Sequence, residues 1–159
     1  MIDPVDNPTD EQLASWHRTF APRAYNHTWT YLDKDRLTPD DELEMLTSTF
    51  AQRYHWREVG TPRHWAIADW QISRVAAVTG YFDLARRFGL NSLAICEENQ
   101  LDAFVTGFAH EAIARAAAFV DDVETFEKHL ALARESLSQI EDDEDRSTLA
   151  ADLDLMSEA

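Results

Sequence analysis

The sequence is poor in residues that interrupt helices or cross-link a chain. It contains a single cysteine, Cys96, so no disulfide can form within the chain. Glycine occurs only 4 times, and all 5 prolines lie at or before Pro62. The alternating pattern of half-buried strands is absent, as are Asn-Gly turn signals. These shortages predict an all-α fold, and the lack of disulfides favours a reducing, cytoplasmic setting.

Basic residues are also scarce. The chain has 14 lysines and arginines against 30 acidic residues, which gives a net charge of −16. Phosphate backbones and anionic membrane surfaces attract clustered basic residues, so we expect neither nucleic acid nor membrane as a partner. No apolar run approaches the ~18 residues of a membrane-spanning helix. The 159 residues and 17 aromatic side chains (5 Trp, 8 Phe and 4 Tyr) predict a single folded domain over residues 1–159.

A six-residue segment recurs after 41 residues. Residues 72–77 read Ile-Ser-Arg-Val-Ala-Ala, and residues 113–118 read Ile-Ala-Arg-Ala-Ala-Ala. Each copy is followed by a break, at Gly80 and at Asp121. Helix–turn–helix units at a fixed period are typical of stacked helical repeats. We therefore predict repeat copies over about 62–99 and 101–140, a loose N-terminal arm over 1–8 and a capping helix over 146–156.

Small and apolar residues around both breaks resemble the tetratricopeptide (TPR) pattern. They are Ile72, Ser73, Ala76, Gly80 and Ala85 in the first copy, and Ile113, Ala114, Ala117 and Asp121 in the second. The whole chain is also similar to bacterial TPR-like proteins of unassigned function. The resemblance implies a right-handed α-α superhelix of about three helix hairpins plus a C-terminal capping helix. Because a standard TPR unit is ~34 residues long and the period here is 41, HEAT-type helix pairs fit as well.

The resemblance also implies a binding groove, since the first helix of each TPR-like pair lines a surface that holds a peptide or protein partner. The matching positions are Ile67, Trp70 and Arg74 in the first copy and Phe108, Glu111 and Arg115 in the second. Two arginines one repeat apart are suited to clamp a carboxylate. Alternatively, each arginine pairs with an acid of the chain, such as Asp69 or Glu111. The main hypothesis is a non-catalytic protein- or peptide-binding module, with self-association as a homodimer also open.

A different function class is a small helical-bundle metalloenzyme. Three histidines on one wall of a bundle can bind zinc or iron, and the candidates are His55, His64 and His110. His55 and His64 flank the turn at Gly60, but His110-Glu-Ala-Ile-Ala lacks the second histidine of H-E-x-x-H. Cys96 lies in an apolar stripe, as expected of a small buried hydrophobe. With no glycine-rich phosphate loop and no G-x-S-x-G elbow, we expect no catalytic residues and no cofactor.

Overall fold

The computed structural model describes residues 7–157, which form seven α-helices and no strand. The helices are α1 Asp10–Leu32, α2 Pro39–Val59, α3 Pro62–Val78, α4 Phe82–Asn99, α5 Ala103–Ala118, α6 Val123–Leu137 and α7 Asp143–Ser157. The predicted all-α fold is confirmed. Residues 1–6 of the predicted N-terminal arm lie outside the described residues.

Local capping explains where the first two helices begin. The Thr9 hydroxyl accepts a hydrogen bond from the Gln12 amide at 3.2 Å, and the Gln12 side chain accepts from the Thr9 amide at 2.9 Å. Thr38 and Asp41 form the same reciprocal arrangement. Each pair satisfies two amides that would otherwise lack a partner at a helix start. A proline inside a helix is expected to kink or divide it, but α1 continues through the exposed Pro22, where water can solvate the carbonyl left without a donor.

The helices pack as consecutive hairpins, α1 with α2, α3 with α4 and α5 with α6. Helix α5 also lies against both α3 and α4, while α7 packs on α5 and α6. Gly80 and Asp121 both adopt left-handed backbone conformations, with φ of 80° and 55°. Glycine, and less often aspartate, tolerates this region. The hairpins α3–α4 and α5–α6 fall within the predicted copies 62–99 and 101–140, whose equivalence as repeats stays a prediction.

Helix α5 is approached closely by its neighbours on two sides. A Cβ placed at Gly89 of α4 would lie 3.2 Å from Ile113 Cγ1 and 3.3 Å from the Ile113 amide nitrogen. A Cβ at Gly107 of α5 would lie 2.5 Å from Leu149 Cδ2. Leu149 and Leu153 are completely buried, so they anchor α7 against α5 and α6. This anchoring brings one face of α7 over the residues predicted to line a groove.

Candidate functional site

The six residues predicted to bind a partner lie on adjacent parts of α3 and α5, and the structure brings them together. Trp70 and Phe108 are in edge-to-face contact, with ring centroids 5.1 Å apart. The Trp70 indole N–H donates to Glu111 Oε2 at 3.1 Å, although the two residues are 41 positions apart. Glu111 is fully buried and also forms an ion pair with Arg115. The first helices of the two hairpins are therefore linked side by side in this region.

Both arginines pair with acids of the chain, which is the alternative that the sequence left open. Arg74 Nη1 lies 2.6 Å from Asp152 Oδ2, and Arg115 Nη2 lies 3.8 Å from the same oxygen. Arg115 also pairs with Glu111, the acid that the sequence suggested for it. The suggested partner Asp69 is wrong for Arg74, because Asp69 binds Arg53 at 2.5 Å. A carboxylate from α7 thus lies between the two arginines.

Arg74 is held by aromatic rings as well as by Asp152. Its guanidinium carbon lies 5.4 Å from the ring centroid of Trp29 on α1 and 5.6 Å from that of Trp70. A cation at this distance is attracted to an aromatic ring. The Arg74 side chain keeps 18% of its exposure, so its charge stays within reach of solvent. Arg115 is equally exposed, but its Nε is buried and has no hydrogen-bond partner among the described residues.

A first cavity of about 250 Å³ opens beside this arginine; we call it the aromatic cavity. It is lined by Tyr25, Trp29, Ile67, Trp70, Arg74, Phe104, Val105, Phe108, Thr148 and Asp152. Four of the six predicted residues are therefore in its wall. Burial raises the pKa of Tyr25, while a hydrogen bond with Trp29 and the charge of Arg74 act against that rise. The cavity is thus mainly apolar, with one arginine and one aspartate at its edge.

A second cavity of about 800 Å³, the outer cleft, adjoins the same ion pair. It is bounded by α5, α6, the turn between them and α7, and its lining includes Arg74, Arg115, Arg134 and Asp152. Its rim carries exposed apolar side chains, namely Phe119 (51%), Val123 (61%) and Leu155 (66%). Arg74 and Asp152 line both cavities. Breaking or re-pairing this ion pair would therefore alter both spaces at once.

Sequence reasoning missed the contributions of α1 and α7 to this site. The last helix was predicted only as a cap, whereas its Asp152 accepts a hydrogen bond from Arg74. A signal was present, because Leu149, Asp152, Leu153 and Met156 follow the i, i+3, i+4, i+7 spacing of one helix face. Trp29 had no comparable signal, since its contact with Trp70 depends on how α1 packs.

The alternative hypothesis required His55, His64 and His110 to converge, and the structure gives each of them a different partner. His64 caps its own helix by accepting a hydrogen bond from the Thr61 amide, and it stacks on Trp56 with centroids 4.0 Å apart. His55 pairs with a histidine of α1, and His110 pairs with a histidine of α6. Within residues 7–157, no three histidine, cysteine or acidic side chains are grouped to hold a metal ion.

The histidine pairs are His17 with His55, and His110 with His129. Their Nδ1 atoms lie 2.8 Å apart in the first pair and 3.0 Å apart in the second. Burial, with a smaller effect of His17, lowers the pKa of His55. Burial, then the charges of His129 and Lys128, lower the pKa of His110 to about 4. Sequence spacing gave no sign of either pair, because each joins two different helices.

Cys96 is buried, as predicted. Burial raises the pKa of its thiol to about 11. At neutral pH the sulfur therefore stays protonated, which suits a packing residue and not a nucleophile.

Comparisons with protein-family models, curated proteins and solved structures found no match to this chain. None of the helices in the described part of the chain has the length and apolar character needed to cross a membrane. The site itself is thus the basis for any functional conclusion.

Proposed function

We propose that this chain is a non-catalytic, TPR-like module that binds a peptide segment of a partner protein in the cytoplasm. The segment lies across the Arg74–Asp152 ion pair, with one apolar side chain in the aromatic cavity and its neighbours in the outer cleft. A carboxylate of the segment takes the place of Asp152 between Arg74 and Arg115. The order of helix hairpins supports the TPR-like arrangement, and the single buried cysteine suits a reducing compartment.

The observation that carries this proposal is the convergence of two arginines on one carboxylate where two cavities meet. Asp152 lies 2.6 Å from Arg74 and 3.8 Å from Arg115. Arginine binds carboxylates through planar, paired hydrogen bonds, which makes such a position selective for that group. The aspartate of α7 therefore stands in for the carboxylate of a partner.

The size of the aromatic cavity suggests what enters it. Pockets for drug-sized ligands typically measure about 300–1,000 Å³, and this one is about 250 Å³. One large apolar side chain suits it better than a cofactor. Tryptophan and arginine are the residue types most often found at binding hot spots, and Trp29, Trp70 and Arg74 meet here.

The net charge of the chain restricts the partner further. At −16, the chain repels strongly acidic proteins and steers basic ones. A basic segment that ends in an apolar residue and a free C-terminal carboxylate satisfies both the overall charge and the local arginines. The side chain of an internal aspartate or glutamate also offers a carboxylate. Amidation of the peptide C-terminus distinguishes the two sources, because it abolishes binding only if the C-terminal carboxylate is the one bound.

The test is selection from a displayed peptide library on the purified chain, followed by affinity measurements with labelled synthetic peptides. We expect recovered peptides to lose at least tenfold in affinity, or about 1.4 kcal/mol, with Arg74→Gln or Arg115→Gln. Arg18→Gln removes the same charge from an exposed position of α1 and serves as the matched control. Failure to recover any peptide whose affinity depends on Arg74 or Arg115 would contradict the proposal.

Self-association as a homodimer stays a prediction, and it would use a surface on α1 that is separate from the two cavities. Leu13, Trp16 and Phe20 on α1 are 38%, 47% and 48% exposed, and exposed apolar patches commonly mark interaction surfaces. Sedimentation of the chain and of its Trp16→Ser variant tests this surface separately from the two cavities.

A further inference from the structure

The proposed peptide site does not use the histidine pair between α1 and α2. His17 comes from the first half of α1 and His55 from the last part of α2, and the hairpin places them opposite each other. Their Nδ1 atoms lie 2.8 Å apart, with ring centroids separated by 5.0 Å. Both side chains are half-buried, so water and ions reach them. Two imidazole nitrogens therefore face each other at an accessible place on the surface.

The hydrogen bond between His17 and His55 requires a proton on only one of the two Nδ1 atoms. In a hydrogen bond between two neutral imidazoles, one Nδ1 donates and the other accepts. If the donor ring moves its proton to Nε2, through water, both Nδ1 lone pairs become available without any change in total charge. Neutral imidazole is the form that binds metal ions.

The spacing is close to that of two ligands on one ion. Zn–N bonds of about 2.0–2.1 Å at a tetrahedral angle place the nitrogens about 3.3–3.4 Å apart. The observed 2.8 Å must therefore open by about half an ångström, which small rotations of two half-buried rings can supply. Copper, nickel and zinc are the divalent ions that imidazole binds well.

We propose that His17 and His55 bind a divalent transition-metal ion through their Nδ1 atoms and thereby fasten the first half of α1 to α2. Water completes the coordination of the ion. The site is separate from the peptide site, so either can exist without the other.

The second histidine pair is the more enclosed of the two. Burial is the main cause that lowers the pKa of both His110 and His129, to about 4 for His110; Lys128 lowers both further, and Glu97 raises that of His129. An ion reaches the pair between α1 and α2 more readily.

The first half of α1 is the part of the helix that such an ion would stabilise most. From Asp10 to Phe20, every residue is exposed or half-buried, whereas the second half of the helix buries Ala21 and Thr28. Segments with few buried contacts open locally at low free-energy cost. An ion that binds only the closed arrangement shifts that local equilibrium towards it.

The test is calorimetric titration of the whole chain with Zn²⁺, repeated for His17→Ala, His55→Ala and His27→Ala. We expect the wild type to bind one ion per chain. His17→Ala and His55→Ala should each lose at least tenfold in affinity, because even the loss of a group that only supports a ligand typically costs about that much. His27 is an exposed histidine on the same helix and serves as the matched control, with unchanged affinity expected.

Amide hydrogen exchange gives a second readout that simple surface binding would not change. Zn²⁺ should slow exchange in residues 10–20 of the wild type and of His27→Ala, but not in His55→Ala. Equal affinity in all four proteins, or a slowing that persists in His55→Ala, would overturn the proposal. Circular dichroism of each variant checks that the helices remain intact.

Discussion

Replacement of Asp152 by asparagine is expected to weaken the attachment of α7 and at the same time to release two arginines. The Asp152 carboxylate lies 2.6 Å from Arg74 Nη1 and 3.8 Å from Arg115 Nη2. All three side chains are 18% exposed. Asparagine keeps the shape of the side chain but removes its charge, so packing against the neighbouring residues is preserved.

The magnitude lies between those of exposed and buried ion pairs. Exposed pairs contribute about 0–1 kcal/mol, whereas removing one partner of a fully buried pair costs about 3–5 kcal/mol. At 18% exposure we expect Asp152→Asn to lower the free energy of unfolding by about 1–3 kcal/mol. A double-mutant cycle with Arg74→Gln, measured by urea denaturation, should give a coupling energy of about 1–2 kcal/mol.

The same substitution should raise the affinity for a selected peptide. With the internal carboxylate gone, a free-acid peptide no longer competes with Asp152 for Arg74 and Arg115. Fluorescence polarisation should show tighter binding to Asp152→Asn and unchanged binding to Asp154→Asn, an exposed control on the same helix. A variant that is destabilised but binds the peptide with wild-type affinity would refute the reasoning, because the arginines would then have only a structural role.

Three further predictions concern stability. Leu149→Ala should lower the free energy of unfolding by about 2–5 kcal/mol in chemical denaturation, since this side chain is fully buried, whereas Leu155→Ala, at 66% exposure, should have little effect. Ala114→Leu should cost about 1–3 kcal/mol by overpacking a fully buried position, and a neutral melting result would count against the predicted repeat alignment. The folded-state pKa of His110, about 4, lies below its ordinary 6.5, so between these values the unfolded chain binds a proton that the folded chain does not. The free energy of unfolding of the wild type should therefore fall as the pH falls from 6.5 to 4. After allowance for partial exposure, this fall should be about 1–2 kcal/mol smaller in His110→Gln, as measured by denaturation at a series of pH values. If the wild type and His110→Gln lose the same stability over this range, the lowered pKa of His110 is contradicted.

Local chemistry made the helices predictable. The pairing of Thr38 with Pro39 marks a helix start in the sequence, and α2 begins there. A glycine inside a helix allows a neighbouring helix to approach closely, and the backbone of Ile113 lies against Gly89. The ion pair of Arg115 with Glu111 follows from their i, i+4 spacing. In each case, the relevant residues are close in sequence or carry a strong conformational preference.

Contacts between distant helices were less predictable. The pairing of Arg74 with Asp152 spans 78 residues and depends on where α7 docks, which no local pattern determines. Whether His55, His64 and His110 converge was left open for the same reason, and helix packing brings His55 to His17 instead. Periodicity indicates which face of a helix is apolar, but the neighbour that this face meets depends on the packing of the whole chain.

Tryptophan indole signals offer the most direct test of the proposed peptide site. The chain has 5 tryptophans, of which Trp29 and Trp70 line the aromatic cavity. In nitrogen–proton correlation spectra, a selected peptide should shift the indole N–H signals of these two residues and leave that of Trp16, on the exposed part of α1, unchanged. Shifts confined to Trp16, with Trp29 and Trp70 unaffected, would place the peptide on the exposed first half of α1, away from the aromatic cavity, and would contradict the proposed site.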